Sequence, residues 1–190
     1  MSTFTENFVR TRAKRETLVE TASAKLNRSA KSAPSTQKYD IFLSHSIKDA
    51  ELVLGVKLIL EDAGRTVYVD WLEDRQMDRS HVTPATAEKI RERMRSCRSL
   101  IYLHSENATQ SKWMPWELGF SDGLHGAVAI LPVTKSEQND FQGQEYIGIY
   151  PWVDNTYSYI KSVDLRIHNT ATIFKDWSSW VSSPRSIKMV

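Results

Sequence analysis

The chain has 190 residues, 41% apolar and 25% charged, the balance of one ordinary globular domain able to bury a core. A net charge of +2 gives no electrostatic case for a nucleic-acid partner, and the one cysteine, Cys97, excludes an internal disulfide framework and a multi-cysteine metal site. The longest apolar stretches, such as Ala127 to Val133, are far short of a bilayer span, and the amino terminus is polar where a signal peptide is apolar, so a cytoplasmic protein with no membrane partner is expected.

Residues 1–36 hold seven Lys or Arg against three Glu, so the positive charge is concentrated there. Glu6 to Leu26 can form a helix, but Phe8, Leu18, Val19 and Leu26 make only a thin apolar stripe, which predicts a solvated or loosely docked helix. Ser29 to Gln37 is rich in Ser, Ala, Lys and Pro. Residues 1–37 are therefore expected to be a basic helical or flexible arm and linker.

From Lys38 the pattern alternates. Tyr39 to Leu43 is an apolar strand, Asp49 to Ala63 an amphipathic helix closed by Gly64, and Thr66 to Val69 a second strand. A loop from Trp71 to Val82 leads into a helix over Pro84 to Ser96. The strand Leu100 to Leu103, a tryptophan-containing helix to about Leu124, the strand Val128 to Val133 and a fifth strand over Tyr146 to Trp152 follow. Such alternation predicts an α/β fold, a doubly wound five-stranded parallel sheet with helices on both faces. Tyr157 to Val163 and Ala171 to Val181 read as helices, making residues 154–190 a helical extension packed on a domain of residues 38–153.

Within this frame the segment Ser111-Lys112-Trp113-Met114-Pro115-Trp116-Glu117-Leu118-Gly119 stands out, because Glu117 is an acid among aromatic and apolar neighbours near a helix start. Pro115 suits a first helical turn, Ser111 can cap it, and Trp113 lies one turn before Glu117 on the same face. The bland reading is an acid answering the helix dipole, with the tryptophans as core. The functional reading follows from topology, since doubly wound sheets bind ligands beyond the carboxyl ends of their strands where strand order reverses. With strand order 2-1-3-4-5, the turns Ser44-His45 and His104-Ser105 lie side by side there, and the helix holding Glu117 opens toward the same crevice.

Other constellations carry less. His45, His81, His104, His125 and His168 lack a metal-ligand spacing, so no catalytic metal is expected. The Ser-His pairs lack a Gly-x-Ser-x-Gly elbow, and adjacent residues on an extended chain point opposite ways, which argues against a hydrolase triad. The alternating charges of Glu88 to Arg95 read as a solvated helix face.

Lys38-Tyr39-Asp40-Ile41-Phe42-Leu43-Ser44-His45-Ser46, followed by Asp49, resembles the opening box of TIR (Toll/interleukin-1 receptor) domains. Trp113-x-x-x-Glu117 is similar to the Trp-x-x-x-Glu motif of NAD-consuming TIR domains, and Val69-Asp70-Trp71 resembles the end of their second strand. The loop after it would be the family's BB loop, although Asp78 to Pro84 departs from the Gly-Asp-Ser-like turn of many bacterial members. The resemblance covers about Lys38 to Val153 and implies a flavodoxin-like sheet and cleavage of the nicotinamide N-glycosidic bond of NAD.

It also implies roles. Glu117 would be the catalytic carboxylate that holds the ribose and stabilises oxocarbenium-like charge, with Ser44, His45, Asp70, Trp71, Lys112 and Trp113 around the substrate. Nicotinamide leaves as a neutral base, so one carboxylate can suffice; NAD is the substrate and no cofactor is expected. The stand-alone bacterial TIR proteins of Thoeris-type anti-phage defence are the nearest resemblance, implying a cyclic ADP-ribose-type messenger, a separate effector that senses it, and self-association through TIR domains. Two alternatives remain open at this point: a non-catalytic TIR scaffold, and a nucleoside deoxyribosyltransferase-like enzyme that also sets a glutamate on an N-glycosidic bond.

Overall fold

The computed structural model of the protein describes residues 2–18, 20–31, 37–70, 83–138, 145–156 and 164–186. The chain opens with β1 (Phe4–Thr5), α1 (Glu6–Lys14) and α2 (Ala22–Lys31). It then alternates through β2 (Tyr39–Ser44), α3 (Ala50–Asp62), β3 (Val67–Tyr68), α4 (Pro84–Arg95), β4 (Cys97–His104), α5 (Trp113–His125), β5 (Val128–Thr134) and β6 (Trp152–Val153). The strands β7 (Arg166–His168) and β8 (Phe174–Asp176) precede α6 (Trp177–Ser182).

The central strands lie in the order β3-β2-β4-β5-β6 and pair in parallel, the doubly wound arrangement that the alternating pattern predicts. Their two faces feed two cores. Ile41, Leu43, Ile101, Leu103, Ala129 and Leu131 pack with α1 and α3 on one side. Phe42, Leu100, Tyr102, Val128 and Ile130 pack with Ile90 and Met94 of α4 and with Met114 and Leu118 of α5 on the other. β5 is buried from Val128 to Val133 because both faces are covered. α4 starts where the chemistry favours it: Thr83 Oγ1 accepts the Thr86 N–H at 3.1 Å and Pro84 takes the first helical turn.

Three expectations need correction. The amino-terminal segment is integral to the fold. β1 pairs in parallel with β5, Phe4 opposite Val133, and α1 packs on α3 with Val9 and Ala13 fully buried. Of the expected apolar stripe Leu26 is buried, but Phe8 and Leu18 are 38% and 87% exposed, and Val9 and Ala13 form the buried face of α1. The physical reason sits on the other helix: a Cβ built on Gly55 would lie 2.2 Å from the Val9 carbonyl oxygen, so only glycine permits this approach. Arg10 to Glu51 at 2.8 Å and Arg12 to Asp62 at 2.7 Å lie across the same contact.

The fifth strand is short. Glu145–Ile149 forms a 3-10 turn, and pairing with β5 is confined to Trp152 opposite Ile130, because β1 occupies the upper part of the same β5 edge. The described carboxyl-terminal extension mixes strand and helix: β7 and β8 continue the sheet in antiparallel fashion, and of the helix expected over Ala171 to Val181 only the part from Trp177 is helical. The β-branched, polar run Asn169 to Ile173 forms the hairpin connection instead. Trp177 and Trp180 of α6 are fully buried, closing the face that carries α1 and α3. The helix expected over Tyr157 to Val163 falls outside the described residues.

Candidate active site

β2 delivers Ser44 as its last residue, directly opposite Tyr102 of β4, and strand alternation turns both side chains to the face covered by α5. α5 begins at Trp113. Ser111 Oγ accepts the Met114 N–H at 3.3 Å, the cap expected from the sequence, and Gly126 closes the far end in the left-handed region at φ 70°. This placement buries Glu117 to 1% exposure and brings its Oε2 within 2.5 Å of the Ser44 hydroxyl, which donates to it. A short O–H···O⁻ contact of this kind is charge-assisted and among the stronger neutral-to-charged hydrogen bonds. Glu117 is therefore no solvated helix-start acid.

The two Ser/His turns do lie together, joined by Asp49, which the sequence places at a helix start and in the TIR-like opening box. The Asp49 carboxylate accepts from Ser105 Oγ and, at 2.7 Å, from Asn107 Nδ2, tying the turn after β2 to the turn after β4. Lys48 Nζ donates to Gln110 Oε1 at 2.5 Å across the same gap. His45 is buried, and its Nδ1 lies 2.8 Å from the Leu43 carbonyl oxygen, which makes Nδ1 the protonated nitrogen. His104 is half-buried at the end of β4, and burial pushes its imidazole below the ordinary value, keeping it neutral.

The remaining candidates differ in placement. Trp113 is 7% exposed, belongs to the core on the α5 face and meets Trp116 edge-on at 5.4 Å, so most of its ring is packing. Lys112 is exposed just before α5, and Asp70 is half-buried after β3. Trp71 and the rest of the expected BB loop to Val82 lie outside the described residues.

Tyr102 is the residue that sequence reading missed. It is buried opposite Ser44, and burial first, then the neighbouring Tyr146 phenol and Glu117 carboxylate, push its phenol up to about 12, so it stays protonated beside the acid. Inside the run Leu100 to Leu103 it reads as core, and only the register with Ser44 marks it. A separate groove of about 470 Å³ opens along β3, lined by Tyr39, Lys57, Glu61, Arg65 and Tyr68 among others, and contains none of the candidate residues. Among the described residues no helix is long and apolar enough to cross a membrane.

Comparison with known proteins agrees with this geometry. The family model described as TIR domain matches residues 41–168. The chain is 49% identical over 145 residues, 75% of each chain, to a protein of Bacillus cereus (strain MSX-D12) named probable 3' cyclic ADP-D-ribose synthase ThsB'. It is 26% identical over 87 residues to a putative cyclic ADP-D-ribose synthase TIR2 of Cytobacillus dafuensis, covering 45% of this chain and 23% of that one. With a parallel sheet in flavodoxin-like order, the Ser44 strand end beneath Glu117 and these matches, the chain belongs to the TIR domain family.

Proposed function

We propose that this protein is an NAD-consuming TIR enzyme that cleaves the nicotinamide N-glycosidic bond and makes a cyclic ADP-ribose-type signal in Thoeris-type anti-phage defence. The observation that carries the reading is the buried Glu117 carboxylate held by Ser44 at the carboxyl end of the sheet, in a chain 49% identical to a named cyclic ADP-D-ribose synthase. In the proposed reaction the ribose C1–nitrogen bond breaks and nicotinamide leaves as a neutral molecule. Positive charge then develops on the ribose ring, and Glu117 stabilises it electrostatically in a low-dielectric site. The relative's name specifies a 3′ cyclic form, so the acceptor proposed here is a ribose hydroxyl of the same molecule, which gives up its proton to solvent water as the new C–O bond forms. Water as acceptor would give ADP-ribose.

The surrounding roles follow from placement. Lys112 is exposed beside the start of α5, where a cation suits a pyrophosphate, while Asp70 and Trp71 would approach from the loop after β3. His45 is proposed as part of the wall of the site. NAD serves as substrate, no metal or other cofactor takes part, and the product acts on a separate effector in the cytoplasm. Self-association through the TIR domain is proposed to complete the site, so turnover per molecule should rise with protein concentration. Incubation with NAD followed by mass spectrometry tests the assignment: a product one water lighter than ADP-ribose, with free nicotinamide, is expected. Unchanged NAD at high protein concentration would contradict it and favour a scaffold.

A further inference from the structure

We propose that Ser44 acts through Glu117 and not on the substrate: its hydroxyl is the positioning group that selects one orientation of the carboxylate. This rests on the reading of Glu117 as the reacting acid. The one proton of the Ser44 hydroxyl is directed at Glu117 Oε2 at 2.5 Å. A hydroxyl used in this way has no second proton for a ribose or phosphate oxygen. The backbone beneath it is rigid, because Ser44 is the last paired residue of β2 and is fixed in register against Tyr102.

The acid needs such a partner. A glutamate has three side-chain torsions, and burial alone would not choose among the rotamers that fit over the sheet. On this face the titratable neighbours are Tyr102 and His104 from β4 and Tyr146 from the turn before β6; on α5 itself Trp113 and Ser121 lie one turn to either side. Tyr102 keeps its proton and His104 is neutral, so neither supplies a positive charge to steer the carboxylate. The Ser121 hydroxyl is directed at Met94 Sδ at 3.4 Å. The Ser44 hydroxyl is a donor that the fold commits to Glu117.

The test compares the full chain with Ser44→Ala, Ser44→Cys and Glu117→Gln, measuring nicotinamide release from NAD over pH together with the thermal midpoint. Ser44→Ala should keep its fold and lower kcat about 10- to 100-fold with KM little changed, the range expected for one charge-assisted hydrogen bond. The acid limb of kcat/KM should move to higher pH, because the carboxylate loses a donor that favours its charged form. Ser44→Cys fills the same space with a poor donor, so it should fail as Ala does; restored activity in Cys would make Ser44 a packing residue. A raised KM with unchanged kcat would put Ser44 on the substrate and overturn the proposal, as would wild-type kinetics with an unshifted acid limb. Should Ser44→Ala not fold, Ser44→Cys decides by the same criteria. Wild-type turnover in Glu117→Gln would instead overturn the underlying reading of the acid, whereas an inactive Glu117→Gln beside an unaffected Ser44→Ala would overturn this proposal alone.

Discussion

Ser44 and Glu117, 73 residues apart in the chain, meet at 2.5 Å between the end of β2 and the second turn of α5. The contact depends on the length of the acid as much as on its charge. Glu117→Asp keeps the charge but withdraws the carboxylate by one methylene, out of reach of the Ser44 hydroxyl. Turnover of NAD should fall about 100-fold, as displacements near 1 Å in a preorganised site do, with little change in the thermal midpoint. Kinetics of nicotinamide release check this, and an Asp variant as active as wild type would mean that charge alone suffices.

Trp113 is chiefly a core residue in this structure. Trp113→Ala should cost about 3 to 5 kcal/mol of stability by leaving a cavity above Met114 and Leu118. Trp113→Phe should lose far less stability, and any change in its NAD dependence at full folding would report contact with the ligand. Urea unfolding alongside substrate titration separates the two effects.

Gly55 ties the amino-terminal segment to the domain. Gly55→Ala places a methyl 2.2 Å from the Val9 carbonyl oxygen, so α1 must shift away from α3 or the backbone must strain. A loss of about 1 to 3 kcal/mol is expected, the usual range for overpacking. Limited proteolysis should then cut within residues 6–20 faster than in wild type, which would not follow if the segment were a loose arm.

The carboxyl-terminal strands carry a second, acid-sensitive anchor. Burial works to raise the Asp154 carboxyl, but hydrogen bonds from His168 and Thr156 outweigh it and hold the group below its usual range. His168 Nε2 lies 3.0 Å from Asp154 Oδ2, between the rings of Trp152 and Phe174. Asp164 is likewise held low despite burial, by Ser178 and Arg65. Because both folded values lie below the unfolded ones, their stabilisation is fully present above the ordinary carboxyl value and is lost as pH falls through the folded value. Stability should therefore drop below about pH 4. Asp154→Asn should be less stable at neutral pH and show a shallower acid loss; urea midpoints measured across the acid range check the sign.

The parallel sheet is legible in the sequence because Tyr39 to Leu43, Leu100 to Leu103 and Val128 to Val133 are short apolar runs separated by amphipathic helices. Glu117 is legible because an acid among Trp113, Trp116 and Leu118 has no place on a solvated helix face. The docking of α1 is not, since it depends on Gly55 of another helix, which by propensity alone reads only as a weakness in α3. β7 and β8 are hidden because Arg166-Ile167-His168 and Phe174-Lys175-Asp176 are too short to establish a period of two. The box at the strand end marks Ser44 as a candidate ligand contact, whereas its bond to Glu117 is a tertiary fact that no local pattern encodes.

The most direct measurement is mass spectrometry of NAD incubated with the wild-type chain and with Glu117→Gln, each shown to be folded by its thermal midpoint. The wild type should release nicotinamide and yield a product one water lighter than ADP-ribose, while the Gln variant, which keeps the shape and removes the charge, should leave NAD at least about 100-fold more intact. Equal conversion by both folded proteins, or conversion by neither at any protein concentration, would contradict the account.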